Sequence, residues 1–126
     1  MSDDNNEMKF SLGTLRNNAF NIQSLLRMAQ NGGESTEILN QITQIVESHF
    51  DRVESLDIDI PDENVKDHRE ILKHFKIAHV DWRDGKISDV DYAEVLNFRL
   101  YKHFSTHLQP LIDKHLDETD GLKFKL

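Results

Sequence analysis

Apolar side chains recur every three or four residues through four separate stretches of this chain, with short breaks between them. The first stretch takes Phe10, Leu12, Leu15, Ala19, Ile22, Leu26 and Ala29, and the second takes Ile38, Ile42, Ile45, His49, Val53 and Leu56. The third runs through Val65, His68, Leu72, Phe75, His79 and Trp82, and the fourth through Ala93, Leu96, Leu100, His103, His107 and Leu111. That period places one face of a helix inward. Strand-like alternation is confined to Leu56–Ile60 beside Pro61, which reads as a connector. Asn31-Gly32-Gly33 and Asp84-Gly85-Lys86 are stop signals, and Ser35 or Thr36 and Ser88 or Asp89 are start signals. Pro61 suits entry to the third helix, where Asp62 and Glu63 complement the positive end of its dipole. Pro110 kinks the last turns of the fourth helix or ends its pairing. Short links between helices force neighbours to run in opposite directions. The expected fold is all-α: an up-down-up-down antiparallel four-helix bundle over 10–116, with an acidic arm (1–9) and a tail (117–126).

A chain of 126 residues is one domain and buries a core without staples. The absence of cysteine removes disulfides, thiolate metal sites and cysteine nucleophiles together. The net charge of −8 provides no basic stripe to meet a phosphate backbone or an anionic membrane, so neither nucleic acid nor membrane is an expected partner. No apolar run approaches the ~20 residues of a membrane span, and Met1–Glu7 is acidic and polar, unlike a secretory leader. A cytoplasmic protein is expected.

Histidine is the residue that carries chemistry here. Seven occur, and the helical period turns His49, His68, His103 and His107 inward. Inward imidazoles on neighbouring helices are how a bundle builds a metal site. His103 lies one turn before His107 on the same face, so His68, His103 and His107 form a three-histidine set for one transition ion, with His49 a fourth ligand or a hydrogen-bonding neighbour. The same four also suit a metal-free core in which imidazoles bond one another and buried water. His74 falls off the apolar stripe and reads as solvated, and His79 reads as a packing residue at the stripe edge.

His49-Phe50 followed by an acid, the proline-containing loop, His68, Asp84-Gly85-Lys86, and Val95-Leu96-Asn97-Phe98 leading to His107-Leu108 together resemble the bacterial branch of the hemerythrin-like family over about residues 12–112. The resemblance implies a four-helix bundle with a carboxylate-bridged di-iron site of five histidines and two acids that binds oxygen reversibly. His49, His68 and His107 match ligand positions of that pattern. Leu72, Val53 and Ile112 stand where a histidine and both bridging acids belong, and no histidine lies near Thr14–Asn18. Glu54 and Asp113 each fall one residue late, about 100° of helical turn, and serve as additional ligands only if a π-bulge absorbs the extra residue.

The expected function is non-enzymatic metal binding, iron by the resemblance and zinc as the second choice, with oxygen or another diatomic as the sensed or stored ligand. A metal-free, degenerate member of the same family that docks a signalling protein is the alternative. A histidine phosphotransfer domain is a third, with His74 in Leu72-Lys73-His74-Phe75-Lys76 as the accepting residue, although the expected glycine is missing. No phosphate loop or nucleophile elbow supports a kinase or hydrolase.

Overall fold

The computed structural model of the chain describes residues 2–115 and Phe124. It is a helical bundle, with no strand among the described residues. α1 spans Ser2–Gln30, α2 Thr36–Glu54, α3 Asp62–Arg83 and α4 Asp89–His103. A π-helical turn, Phe104–Leu108, continues α4 into α5, Gln109–His115, so the last three segments form one rod. α1 packs on α2 and on the α4 rod, and α3 packs on the same two neighbours. None of the helices is long and apolar enough to cross a membrane.

The start and stop signals act largely as their chemistry dictates. Gly32 and Gly85 take positive φ of 84° and 79°, which ends α1 and α3 where side chains would strain the backbone. Pro61 occupies the N-cap position of α3, and Ser88 caps α4 by accepting a hydrogen bond from the Asp91 N–H at 3.1 Å. Ser35 stands at the N-cap of α2 without a side-chain bond.

The apolar period located the helices better than their ends or their exact faces. α1 begins at Ser2, so residues 2–9 extend the first helix instead of preceding it. An apolar stripe reports burial, and the sequence before Phe10 carries no such stripe, so periodicity could not show this turn. Phe10, expected in the core, is 77 % exposed. On α3 the core face is Asn64, His68, Ile71 and Phe75, while Leu72 is half-buried. The segment 117–126 lies outside the described residues except for Phe124, which is buried and whose ring centroid lies 4.7 Å from Phe20 and 5.1 Å from Phe104.

The π-helical turn rotates everything after it. A straight α-helix carries His107 onto the same inward line as Leu100 and His103. Wider winding over Phe104–Leu108 instead brings Leu108 and Ile112 into the core, and His107 moves to the edge facing α3. Pro110 follows directly. Its missing N–H leaves the Thr106 carbonyl without the usual α-helical donor, a reason for the winding to change there.

Candidate metal centre

The site is built from two facing ridges. α3 presents Asn64, Asp67 and His68 within its first two turns, and the α4 rod presents Arg99, His103 and His107 at successive one-turn intervals. Asn64 meets His107, and Asp67 meets His103 and Arg99.

Asp67 is the centre of this arrangement. Its Oδ2 accepts a hydrogen bond from the His103 Nδ1–H at 2.6 Å and lies 3.6 Å from His107 Nε2. Its Oδ1 accepts from the Arg99 guanidinium. One ligand atom each from Asp67, His103 and His107 fall within 4.8 Å of one another. His107 is set from behind: its Nδ1–H donates to Asn64 Oδ1 at 3.0 Å, and Asn64 Nδ2 donates to the His107 carbonyl at 3.2 Å. That tautomer leaves the Nε2 lone pair facing Asp67, the state a metal requires.

The electrostatics favour a carboxylate beside a neutral His103 ring. Burial would raise the Asp67 carboxyl, but hydrogen bonds from His103 and Arg99 outweigh it and hold the group well below the usual carboxylate range. Burial pushes His103 down to about 4, against the pull of the Asp67 hydrogen bond, and the charges of His68 and His107 add to the push. At neutral pH Asp67 is therefore a carboxylate and the His103 ring is neutral. Two histidines and one carboxylate with open positions suit Fe(II) or Zn(II). Binding through His103 Nδ1 requires the proton to move to Nε2 or leave.

The other expected ligands sit nearby in different roles. His68 is in ring contact with His103, centroids 4.8 Å apart, yet its Nδ1–H donates to Glu54 Oε2 at 2.6 Å and its face stacks on Phe50 at 4.1 Å. Burial lowers its pKa, opposed by Glu54. His68 thus neighbours the trio, and Asp67 takes the place expected of it. Glu54, at the end of α2, anchors His68 and does not join the compact donor set. His49 donates from Nδ1 to Asn18 Oδ1 at 2.8 Å and packs edge-on against Phe104. Burial, with the nearby charges of His103, His68 and Arg52, takes it down to about 3. Asp113 is exposed and accepts from Gln109 Nε2 at 2.9 Å. The π-helical turn is present, but it carries Ile112 inward and leaves Asp113 outside.

A carboxylate-bridged pair of ions does not fit these residues. The positions that would bridge hold buried Val53 and Ile112, and Leu72 replaces an imidazole. His74 and His79 behave as their sequence positions suggest: His74 is 58 % exposed beside Glu70, and the His79 ring packs at the α3 edge, its Nδ1 3.2 Å from the Tyr92 hydroxyl.

Sequence reasoning singled out His103 and His107 but gave no role to Asp67, Asn64, Arg99 or Asn18. The signal for Asp67 was present. It directly precedes His68 and lies one turn after Asn64, and a ridge reading Arg99, His103, His107 calls for an acid opposite. No protein-family pattern, curated protein or solved structure matches the chain.

Proposed function

We propose that this chain is an antiparallel, hemerythrin-like bundle that holds one divalent transition ion through Asp67, His103 and His107. The observation that carries the proposal is the convergence of one carboxylate and two imidazoles within 4.8 Å. Two of the three are oriented by a further contact, Asp67 by Arg99 and His107 by Asn64. The reversed pairing order, Asn64 with His107 and His79 with Tyr92, supports opposite running of α3 and the α4 rod. Iron is the first choice of ion by resemblance and zinc the second. Bound there, the ion would supply a Lewis-acidic centre with positions left for a small exogenous ligand, dioxygen by the same resemblance. The protein's own part is to fix the donors and to keep the His103 ring neutral by burying it against Phe50 and Phe104. This is a binding role, not an enzymatic one.

Elemental analysis after reconstitution with Fe(II) or Zn(II) under reducing conditions tests it. One equivalent per chain is expected, lost in Asp67→Ala and in His107→Ala and retained in His68→Ala. No retained metal would reject the proposal.

One observation favours a second reading, a metal-free docking module. Asp67 already has both oxygens engaged by Arg99 and His103, so the cluster is satisfied without an ion. The same elemental analysis separates the two.

A further inference from the structure

The end of the bundle away from Asp67 holds a cluster of a different kind. His79 and Trp82 lie in the last turns of α3, and Tyr92 stands in the first turn of α4 with Asp89. The stretch of α3 from Asp67 to His79 is about 18 Å long at ~1.5 Å per residue, so the two clusters are separate. Tyr92 is fully buried. Its hydroxyl lies 3.2 Å from His79 Nδ1, and its ring stacks on that of Trp82, centroids 5.2 Å apart and planes 16° from parallel. The Trp82 indole N–H donates to Asp89 Oδ1 at 2.6 Å, and the His79 ring centroid stands 5.5 Å from that of Trp82. Trp82 and His79 are half-buried and Asp89 is exposed, so the array leads from solvent to the buried phenol.

The polar contacts give these rings a chemistry. A phenol loses an electron readily only when its proton leaves too, because the phenol cation radical is a strong acid. That requires a base within hydrogen-bond reach of the hydroxyl. His79 is such a base: with its own proton on Nε2, its Nδ1 lone pair faces the Tyr92 hydroxyl hydrogen. Burial raises the Tyr92 phenol above its ordinary value, so it keeps its proton until the electron goes. Burial also keeps a dissolved oxidant away from the phenol. Trp82 bridges that gap, being stacked on Tyr92 and itself open to solvent in part. The Asp89 carboxylate on the indole N–H stabilises positive charge that forms on the ring.

We propose that Trp82, Tyr92 and His79 form a one-electron relay. A radical oxidant in solution takes an electron from the Trp82 indole, and Tyr92 refills the indole as its proton passes to His79. The step balances. The oxidant gains one electron, the Tyr92 O–H bond breaks, and an N–H bond forms on His79 Nδ1. Trp82 ends as it began, Tyr92 is a neutral tyrosyl radical and His79 an imidazolium. A one-electron reductant of the enediol or thiol class returns the electron, and His79 returns the proton. The activity directs a surface oxidant's attack to one buried side chain, and it stands apart from the metal proposal.

The test uses the full metal-free chain carrying Tyr101→Phe, which leaves Tyr92 and Trp82 as the sole tyrosine and tryptophan. Photo-oxidised tris(bipyridine)ruthenium(III) is the oxidant, and transient absorption and electron paramagnetic resonance follow the radical. A tryptophan radical that decays into a tyrosyl radical is expected. Trp82→Phe should lose the fast tyrosyl phase, because the oxidant then has no ring at the surface that touches the phenol. His79→Leu should leave the radical on Trp82, slowing its passage to Tyr92 by roughly 100-fold or more. Exchange into deuterium oxide should slow the same passage without any substitution, which serves if the leucine variant does not fold. A radical that stays on Trp82 with His79 in place overturns the relay and leaves the cluster as packing. Fast tyrosyl formation in Trp82→Phe removes Trp82 from it. An undiminished rate in His79→Leu, or in deuterium oxide where that variant does not fold, overturns His79 as the proton acceptor.

Discussion

His103 and Asp67 face each other across α3 and α4, Nδ1 to Oδ2 at 2.6 Å, with side chains only 3 % and 18 % exposed. The same carboxylate holds Arg99, so one acid joins two helices and orients a donor set. Asp67→Asn keeps the shape and removes the charge. It strands a partly buried guanidinium, 28 % exposed, which moderates the penalty. The expected loss is about 1–3 kcal/mol of stability, read as a lowered urea midpoint, together with loss of metal retention. An unchanged midpoint with unchanged metal content would remove Asp67 from the centre of the site.

Acid should destabilise the metal-free protein through His49, whose folded pKa of about 3 lies below its ordinary value of 6.5. Between those values the unfolded chain binds a proton that the folded chain refuses, so stability rises with pH across the window. It is fully present above pH 6.5 and is lost as pH falls toward 3, by about 1.4 kcal/mol per pH unit. Urea unfolding at a series of pH values should show this slope. In His49→Leu the acid limb should flatten by one proton, even if the orphaned Asn18 oxygen lowers the whole curve. An equally steep limb in the variant would place the acid sensitivity elsewhere.

Phe50 fills the space among three imidazoles, with centroids 4.1 Å from His68, 5.0 Å from His103 and 5.9 Å from His49. It is 1 % exposed, so Phe50→Ala should cost about 3–5 kcal/mol. Because the lost ring is also the wall between His49 and the other two, the variant should broaden or shift the imidazole NMR signals of all three. Perturbation of His68 alone would mean that the three rings do not share one cavity.

Four helices were legible because burial imposes a period on the sequence. Ile42, His49 and Val53 of α2 and Ala93, Leu96 and Leu100 of α4 are buried as that period requires, while the half-buried Ile38 and Ile45 of α2, and Leu56 just past its end, yield the core to Leu39, Val46 and Phe50. The first turns of α1 were not legible, since their sequence carries no apolar period. The site was half legible. His103 and His107 announce themselves as rare residues on an apolar face, whereas Asp67 and Asn64 are common surface types. Nothing local shows that Asn64 is buried or that Asp67 turns toward another helix. The side to which His107 turns depends on the winding of five residues before Gln109, and helical periodicity assumes that winding constant.

That winding can be tested by deletion. In a π-helical turn one residue is in effect inserted, so removing Ser105 should return Phe104–Leu108 to α-helix and keep Leu108 and Ile112 on the core line established by Leu100. Helical circular dichroism and the unfolding temperature should therefore hold close to those of the intact chain. The site should fare differently. With Leu108 held in place, His107 would turn by about 20° around the rod, lengthening its Nδ1 contact with Asn64 and swinging its Nε2 away from Asp67. Metal affinity should fall by roughly 10- to 100-fold, as when the group orienting a ligand is lost. A deletion variant that unfolds would mean the turn serves the core, and one that keeps full affinity would mean His107 is not a ligand.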